Sequence, residues 1–202
     1  MADDEHLLER ATGDSRLLHR GFLELHIDTV RLPDGSTATR EYLRHEGAVA
    51  VVPLLDDGRL VLVRQYRYPL ARVLLEFPAG KLEAGEAQLA CAVRELQEET
   101  GYVAREWAFG GEIHNAAAYS SESIWIWFAR GLVPGAAQLD AGEFVETVTL
   151  PMAELEALAD RGELTDVKTQ IGLAWLQRWQ SGHRALHWHA PVDPAPPIMT
   201  PR

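Results

Sequence analysis

The stretch that most restricts what this chain can become runs from Gly80 to Tyr102. Gly80 and Gly85 permit tight backbone turns immediately before a helix predicted from about Glu86 to Thr100, which Gly101 closes as a left-handed cap. At the helical repeat of roughly 100° per residue, Glu95, Glu98 and Glu99 fall within an arc of about 100°. Leu89, Val93, Leu96 and Thr100 form a neighbouring stripe able to pack on a sheet. Three carboxylates at helical spacing repel one another, and the helix C-terminus disfavours anions. A hard divalent cation with oxygen ligands relieves both penalties. Arg94 stands one turn before Glu98 and can pair with it. Alone, a Glu-x-x-Glu-Glu helix reads more readily as a solvated face. The glycine loop before it, whose backbone can approach a phosphate or metal, favours a site.

The rest of the chain supplies a scaffold. Within its 202 residues, 47% are apolar, enough for a sizeable core. Residues 1–15 read as frayed. Strands are expected between Leu17 and Leu32 and from Thr37 to His45, joined at Pro33-Asp34-Gly35-Ser36 into an N-terminal hairpin too thin to bury its own core. Denser strand signals follow at 48–52, 60–63, 73–77, 106–113, 124–129 and 144–150, with helices over 151–161 and 166–180. The class is α+β, a mixed sheet with helices on its faces. We expect an N-terminal strand region over 1–46, a catalytic domain over 47–182 and a mobile Pro- and His-rich tail over 183–202.

A net charge of −11 argues against long nucleic acid as a partner. No apolar run approaches the roughly 18–20 residues of a membrane span, and the acidic first residues lack a signal-peptide core. A cytoplasmic protein is expected. Cys91 is the one cysteine and reads as a packing residue. His183, His187 and His189 resemble a metal cluster but have no carboxylate framework nearby, and read as adventitious.

Gly80, five residues, Glu86, seven residues, Arg94-Glu95-Leu96, one residue, Glu98-Glu99, one residue, Gly101 and apolar Tyr102 resemble the complete Nudix signature. Arg64-Gln65-Tyr66-Arg67-Tyr68-Pro69, Leu75-Glu76-Phe77-Pro78-Ala79-Gly80 and Gly142-Glu143-Phe144-Val145-Glu146 are similar to the ADP-ribose pyrophosphatase branch, over about Thr39 to Trp179. The resemblance implies an α/β/α sandwich. It implies Glu95, Glu98, Glu99 and the Ala79 carbonyl as ligands of Mg²⁺ or Mn²⁺. Arg94 would orient the glutamates, and Glu86 would steady the loop or assist a metal-bound water. Arg67 would contact the substrate diphosphate, with Arg64 and Gly80 completing the substrate-binding set. Glu143 is the expected general base, with Asp140 and Glu146 as rivals.

The implied reaction is metal-dependent hydrolysis of a nucleoside diphosphate derivative, ADP-ribose first, to AMP and ribose 5-phosphate. GDP-mannose, NADH or a non-catalytic ligand sensor are the alternatives. The branch also implies a homodimer in which N-terminal strands pack across the partner. Phe22 and Tyr42 there either stack on a base or serve the core. His114-Asn115 stand where many members carry Ser-Pro-Gly, and His114 is either a pocket contact or structural.

Overall fold

The computed structural model describes residues 4–191, and the chain divides into two compact units. One contains the described residues up to Glu46 together with Ala116–Ser123; the other contains Gly47–Asn115 and the chain from Ile124 onward.

The first unit is a three-stranded antiparallel sheet of β1 (Arg10–Arg20), β2 (Glu24–Arg31) and β3 (Thr37–Arg44). β2 and β3 form the expected hairpin, whose turn is held by Ser36 N–H donating to Asp34 Oδ1 at 2.9 Å. β1 departs from the reading of 1–15 as frayed. Its residues pair with β2 from Arg10 onward, although every one of them is exposed. With neither face buried there is no apolar alternation to read. The strand is held by its backbone pairing and by polar links such as Ser15 Oγ donating to Asp28 Oδ1 at 2.5 Å. Residues 116–123 join beside β3, where Leu43 N–H donates to Tyr119 O and Ser121 N–H to Leu43 O, both at 2.9 Å.

The second unit is built on a seven-stranded mixed sheet. Its strands are β4 (Ala48–Leu54), β5 (Arg59–Arg67), β6 (Arg72–Glu76), β7 (Ala79–Lys81), β8 (Tyr102–Ile113), β9 (Ile124–Pro134) and β10 (Val145–Pro151). The helices are α1 (Gln88–Thr100), α2 (Met152–Asp160) and α3 (Val167–Gln180). The order is β10-β5-β4-β9-β8, with β4 and β9 parallel. β4 shows why its sequence is apolar throughout. Ala48, Ala50 and Val52 face Leu155, Leu173 and Leu176 of α2 and α3, while Val49 and Val51 face Leu89, Ala92 and Leu96 of α1. Helices thus cover both faces, an α/β/α sandwich.

One irregularity positions the site. β4 and β5 pair only at Leu54↔Leu60. Beyond that point they diverge: β6 takes β5 from Val63 to Arg67, and β7 takes β4 from Ala48 to Ala50. The loop between β6 and β7 threads this fork, with Val51 N–H donating to Pro78 O at 2.8 Å. It delivers Ala79 and Gly80 to α1.

The tail was expected to be mobile from 183, yet residues up to 191 pack on the second unit. His189 and Trp107 exchange backbone hydrogen bonds of 2.8 and 2.9 Å, and the Trp188 ring lies 5.6 Å from that of Trp179 and 4.2 Å from the Arg130 guanidinium. Indole burial outweighs the local Pro and His content there. Residues 192–202, the remainder of that expectation, lie outside the described residues.

α3 is capped by Asp166, whose side chain accepts from Thr169 N–H at 2.9 Å, and meets the sheet through Gly172. A Cβ on Gly172 would lie 2.9 Å from Val52 Cγ2 and 3.1 Å from Phe77. Gly172→Val should therefore destabilise the protein by about 1–3 kcal/mol through overpacking, read as a lower urea midpoint at unchanged slope; an unaltered midpoint would disprove this packing.

Candidate active site

Arg94 organises the loop and the helix. Its Nε and Nη2 donate to the two oxygens of Glu86 at 2.9 and 3.0 Å, and Nη2 also reaches Lys81 O at 3.1 Å. Its Nη1 donates to Glu95 Oε1 at 2.7 Å and Glu98 Oε2 at 2.9 Å. Glu86 further accepts from Glu83 N–H at 3.0 Å. These bonds hold the Glu86 carboxyl below the ordinary carboxylate range, against the opposing effect of burial. Cys91 packs beneath, fully buried, with Sγ 3.4 Å from Lys81 O.

Glu95 lies directly on the loop. A Cβ on residue 80 would fall 1.9 Å from Glu95 Cδ, so only glycine leaves room for this carboxylate. Gly80 sits in β7 and has no positive φ; the close approach, rather than a tight turn, requires it. Gly85, with φ +79°, is the turn glycine. Glu99 points inward at 6% exposure and accepts from Ala79 N–H at 3.0 Å. Burial raises the pKa of Glu95. Burial, reinforced by the charges of Glu95 and Glu143, pushes Glu99 up to about 8, against the opposing Ala79 hydrogen bond and the charge of Lys168.

The structure therefore gathers Ala79, Gly80, Glu86, Arg94, Glu95, Glu98 and Glu99 in one place. Among the described residues no three acidic, imidazole or thiol side chains are grouped closely enough to enclose an ion; Arg94 spans Glu95 and Glu98 instead. The donor chemistry nonetheless fits a hard divalent cation. All the donors are oxygens, and a buried carboxylate crowded by like charges is stabilised by added positive charge.

Glu143 stands in the loop two residues before β10, and its charge acts on both Glu95 and Glu99. With Arg64, Tyr66, Phe144 and Glu146 it lines an open cleft of about 400 Å³. Asp140, its rival, receives Glu143 N–H at 3.0 Å through its carbonyl oxygen. Glu146 is occupied by Arg64, whose Nη1 donates to it at 2.5 Å. Arg67 points the other way along β5, as strand alternation requires. It donates through Nε and Nη2 to the two oxygens of Glu76, each at 2.7 Å.

Glu76 has no role in the sequence reading, and neither has Lys168, its second cationic partner. A signal was present: a glutamate inside the apolar run Val73 to Phe77 must be paired if that strand is buried. The partner itself, 92 residues away, was not visible. His114 and Asn115 belong to the second unit, and Ala116–Ser123 to the first.

Residues 44–170 match the family model described as NUDIX domain. The chain belongs to the Nudix family. It is 34% identical over 173 residues to an ADP-ribose pyrophosphatase of Bacillus subtilis, covering 85% of this chain and 94% of that protein. It is 39% identical over 157 residues to a methanol dehydrogenase activator of Bacillus methanolicus, covering 77% and 85%. A crystal structure of an ADP compounds hydrolase superposes with a TM-score of 0.77 at 25% identity, covering 87% of this chain and 96% of that one. These relatives span between 77% and 87% of the chain, so the likeness includes the scaffold and is not confined to α1 and its loop.

The electrostatics give a test. The folded-state pKa of Glu99 is raised above its ordinary 4.5, so folding favours its protonated form and this contribution is lost as pH rises toward about 8. In EDTA, the melting temperature should fall between pH 5 and pH 8.5 more steeply in the wild type than in Glu99→Gln. Parallel pH profiles would exclude a buried, crowded Glu99. Gly80→Ala should displace Glu95 and lower turnover by about a hundredfold or more, with the circular dichroism spectrum retained.

Proposed function

We propose that this Nudix hydrolase cleaves the diphosphate bond of ADP-ribose to give AMP and ribose 5-phosphate, using Mg²⁺ and, as a substitute, Mn²⁺. The observation that carries the reading is the carboxylate face of α1, where Arg94 bridges Glu95 and Glu98 and Glu99 accepts from Ala79 N–H of β7. The relatives named for ADP-ribose and ADP compounds supply the substrate class, and Nudix hydrolases generally use divalent metal ions.

In this reading Glu95, Glu98, Glu99 and the Ala79 carbonyl hold the cation. When bound, a divalent ion neutralises diphosphate oxygens, stabilises charge developing in the transition state and acidifies water. Arg94 keeps Glu95 and Glu98 from splaying apart, the Ala79 N–H holds Glu99, and Glu86 anchors Arg94 to the loop. Arg67 presents its guanidinium to the diphosphate, with the Gly80 backbone, and Arg64 binds substrate from the opposite face of β5, in the cleft that Glu143 lines. Glu143 accepts the proton of the attacking water; its charge already reaches Glu95 and Glu99. A cytoplasmic homodimer completes the proposal. The fully exposed β1, with Leu17 and Leu18 uncovered, offers apolar surface for a second copy.

Glu98→Gln and Glu99→Gln should each lower turnover by orders of magnitude, about a hundredfold or more, in protein that remains folded, and EDTA should abolish activity. Assays of ADP-ribose, GDP-mannose, NADH, diadenosine polyphosphates and deoxynucleoside triphosphates with Mg²⁺ test the substrate, and product analysis in oxygen-18 water identifies the phosphorus attacked. Undiminished turnover in EDTA, or in both variants, would end the metal assignment. Preference for GDP-mannose would replace the substrate, and sedimentation at one protomer mass would remove the dimer.

A further inference from the structure

We propose that Lys168, acting through Glu76, is the positioning residue that aims Arg67 at the substrate diphosphate. This rests on the reading of Arg67 given above.

Glu76 is 1% exposed in β6, and its carboxylate is read from two sides. Arg67 takes both oxygens through Nε and Nη2 at 2.7 Å each, while Lys168 Nζ donates to Oε2. A carboxylate held by a single partner can turn about its last torsion. The ammonium on Oε2 fixes its plane, and a bidentate guanidinium follows that plane.

Lys168 is itself fixed. Its Nζ donates to Asp166 Oδ1 at 2.9 Å, and Asp166 Oδ2 accepts from Thr169 N–H and Oγ1–H at 2.9 and 2.6 Å. Thr169 Oγ1 in turn accepts from Phe77 N–H at 2.8 Å, the residue that follows Glu76 at the end of β6. The first turn of α3 and the end of β6 are thus registered twice, through adjacent residues on each element. The two carboxylates balance the two cations.

A buried ionic network of this kind is a poor source of stability, because desolvation offsets most of the attraction. Its outer member explains it better. The Arg67 side chain is 40% exposed, against 2% for Glu76 and 10% for Lys168. Two of its five N–H donors serve Glu76, leaving three in a fixed fork. Both cations also lie within electrostatic reach of Glu99. A rigid guanidinium beside an acidic metal-binding face suits an anionic substrate that must be oriented before attack. Glu76 remains lowered in pKa: burial acts to raise it, and the two cations outweigh that effect.

The test is a double-mutant cycle on the full-length protein, with ADP-ribose and Mg²⁺. Lys168→Met should raise KM about tenfold, the effect of loosening one charge-assisted contact, with kcat within about threefold. Lys168→Arg should restore KM. In an Arg67→Ala background, Lys168→Met should change KM by less than about twofold, because nothing remains to aim. An equal rise in KM in both backgrounds, or an unchanged KM for Lys168→Met, would overturn the proposal. Should Lys168→Met fail to fold, Lys168→Gln enters the same cycle. A wild-type protein that turns over no nucleoside diphosphate sugar would instead refute the proposed function, a separate result.

Discussion

A single guanidinium sets the terms for the catalytic segment. Arg94 donates to five acceptor groups: Glu86 on the loop, the Lys81 carbonyl at the end of β7, and Cys91, Glu95 and Glu98 on α1. Without it, the last two turns of α1 would present like charges at a helix end whose dipole already opposes them. With it, the loop and the helix become one body, and the glutamates converge. Gly80 then admits Glu95 onto the backbone, which a methyl group would prevent.

The split between β4 and β5 gives that body a place to sit. Two strands that part after one pair leave a wedge at the centre of the sheet, and β6, β7 and the intervening loop fill it. The core on either side remains apolar, so each carboxylate in the wedge is governed by its immediate company. Glu76 and Glu99 are both nearly inaccessible, at 1% and 6%. Two cations face Glu76 and keep it ionised against its burial; burial, reinforced by the like charges of Glu95 and Glu143, favours the proton on Glu99. Equal burial with opposite outcome separates a carboxylate that holds other residues from one suited to a cation.

Much of this was legible in the sequence because it is local. The loop glycines, the spacing of Glu95, Glu98 and Glu99, the Gly101 cap and the relation of Arg94 to Glu98 lie within one helix and its approach. β4 was legible from its unbroken apolar run. The pairing of residues 116–123 with β3, and of Lys168 with Glu76, joins segments far apart in the chain, and no periodicity encodes them. The first part of β1, residues 10–15, is not legible for a different reason: a strand exposed on both faces carries no hydrophobic rhythm. Gly80 was noticed, but for flexibility, when the space above its Cα was what mattered. The tail misled because proline and histidine suggest solvent, whereas Trp188 and the backbone of His189 find partners.

That tail bears on how the protein behaves at high concentration. β8 is the last strand of the seven-stranded sheet, twelve residues long, and Phe109 along it is 47% exposed. Trp107, at its middle, is fully buried, and its peptide N–H and C=O are matched by His189. A protein shortened at Gln180 would leave both groups unmatched at the middle of an edge strand, the geometry from which intermolecular β-association starts. The segment around His189 thus acts as a bumper at the middle of this edge, and fragments chosen by the limits of the family match at residue 170 would lack it.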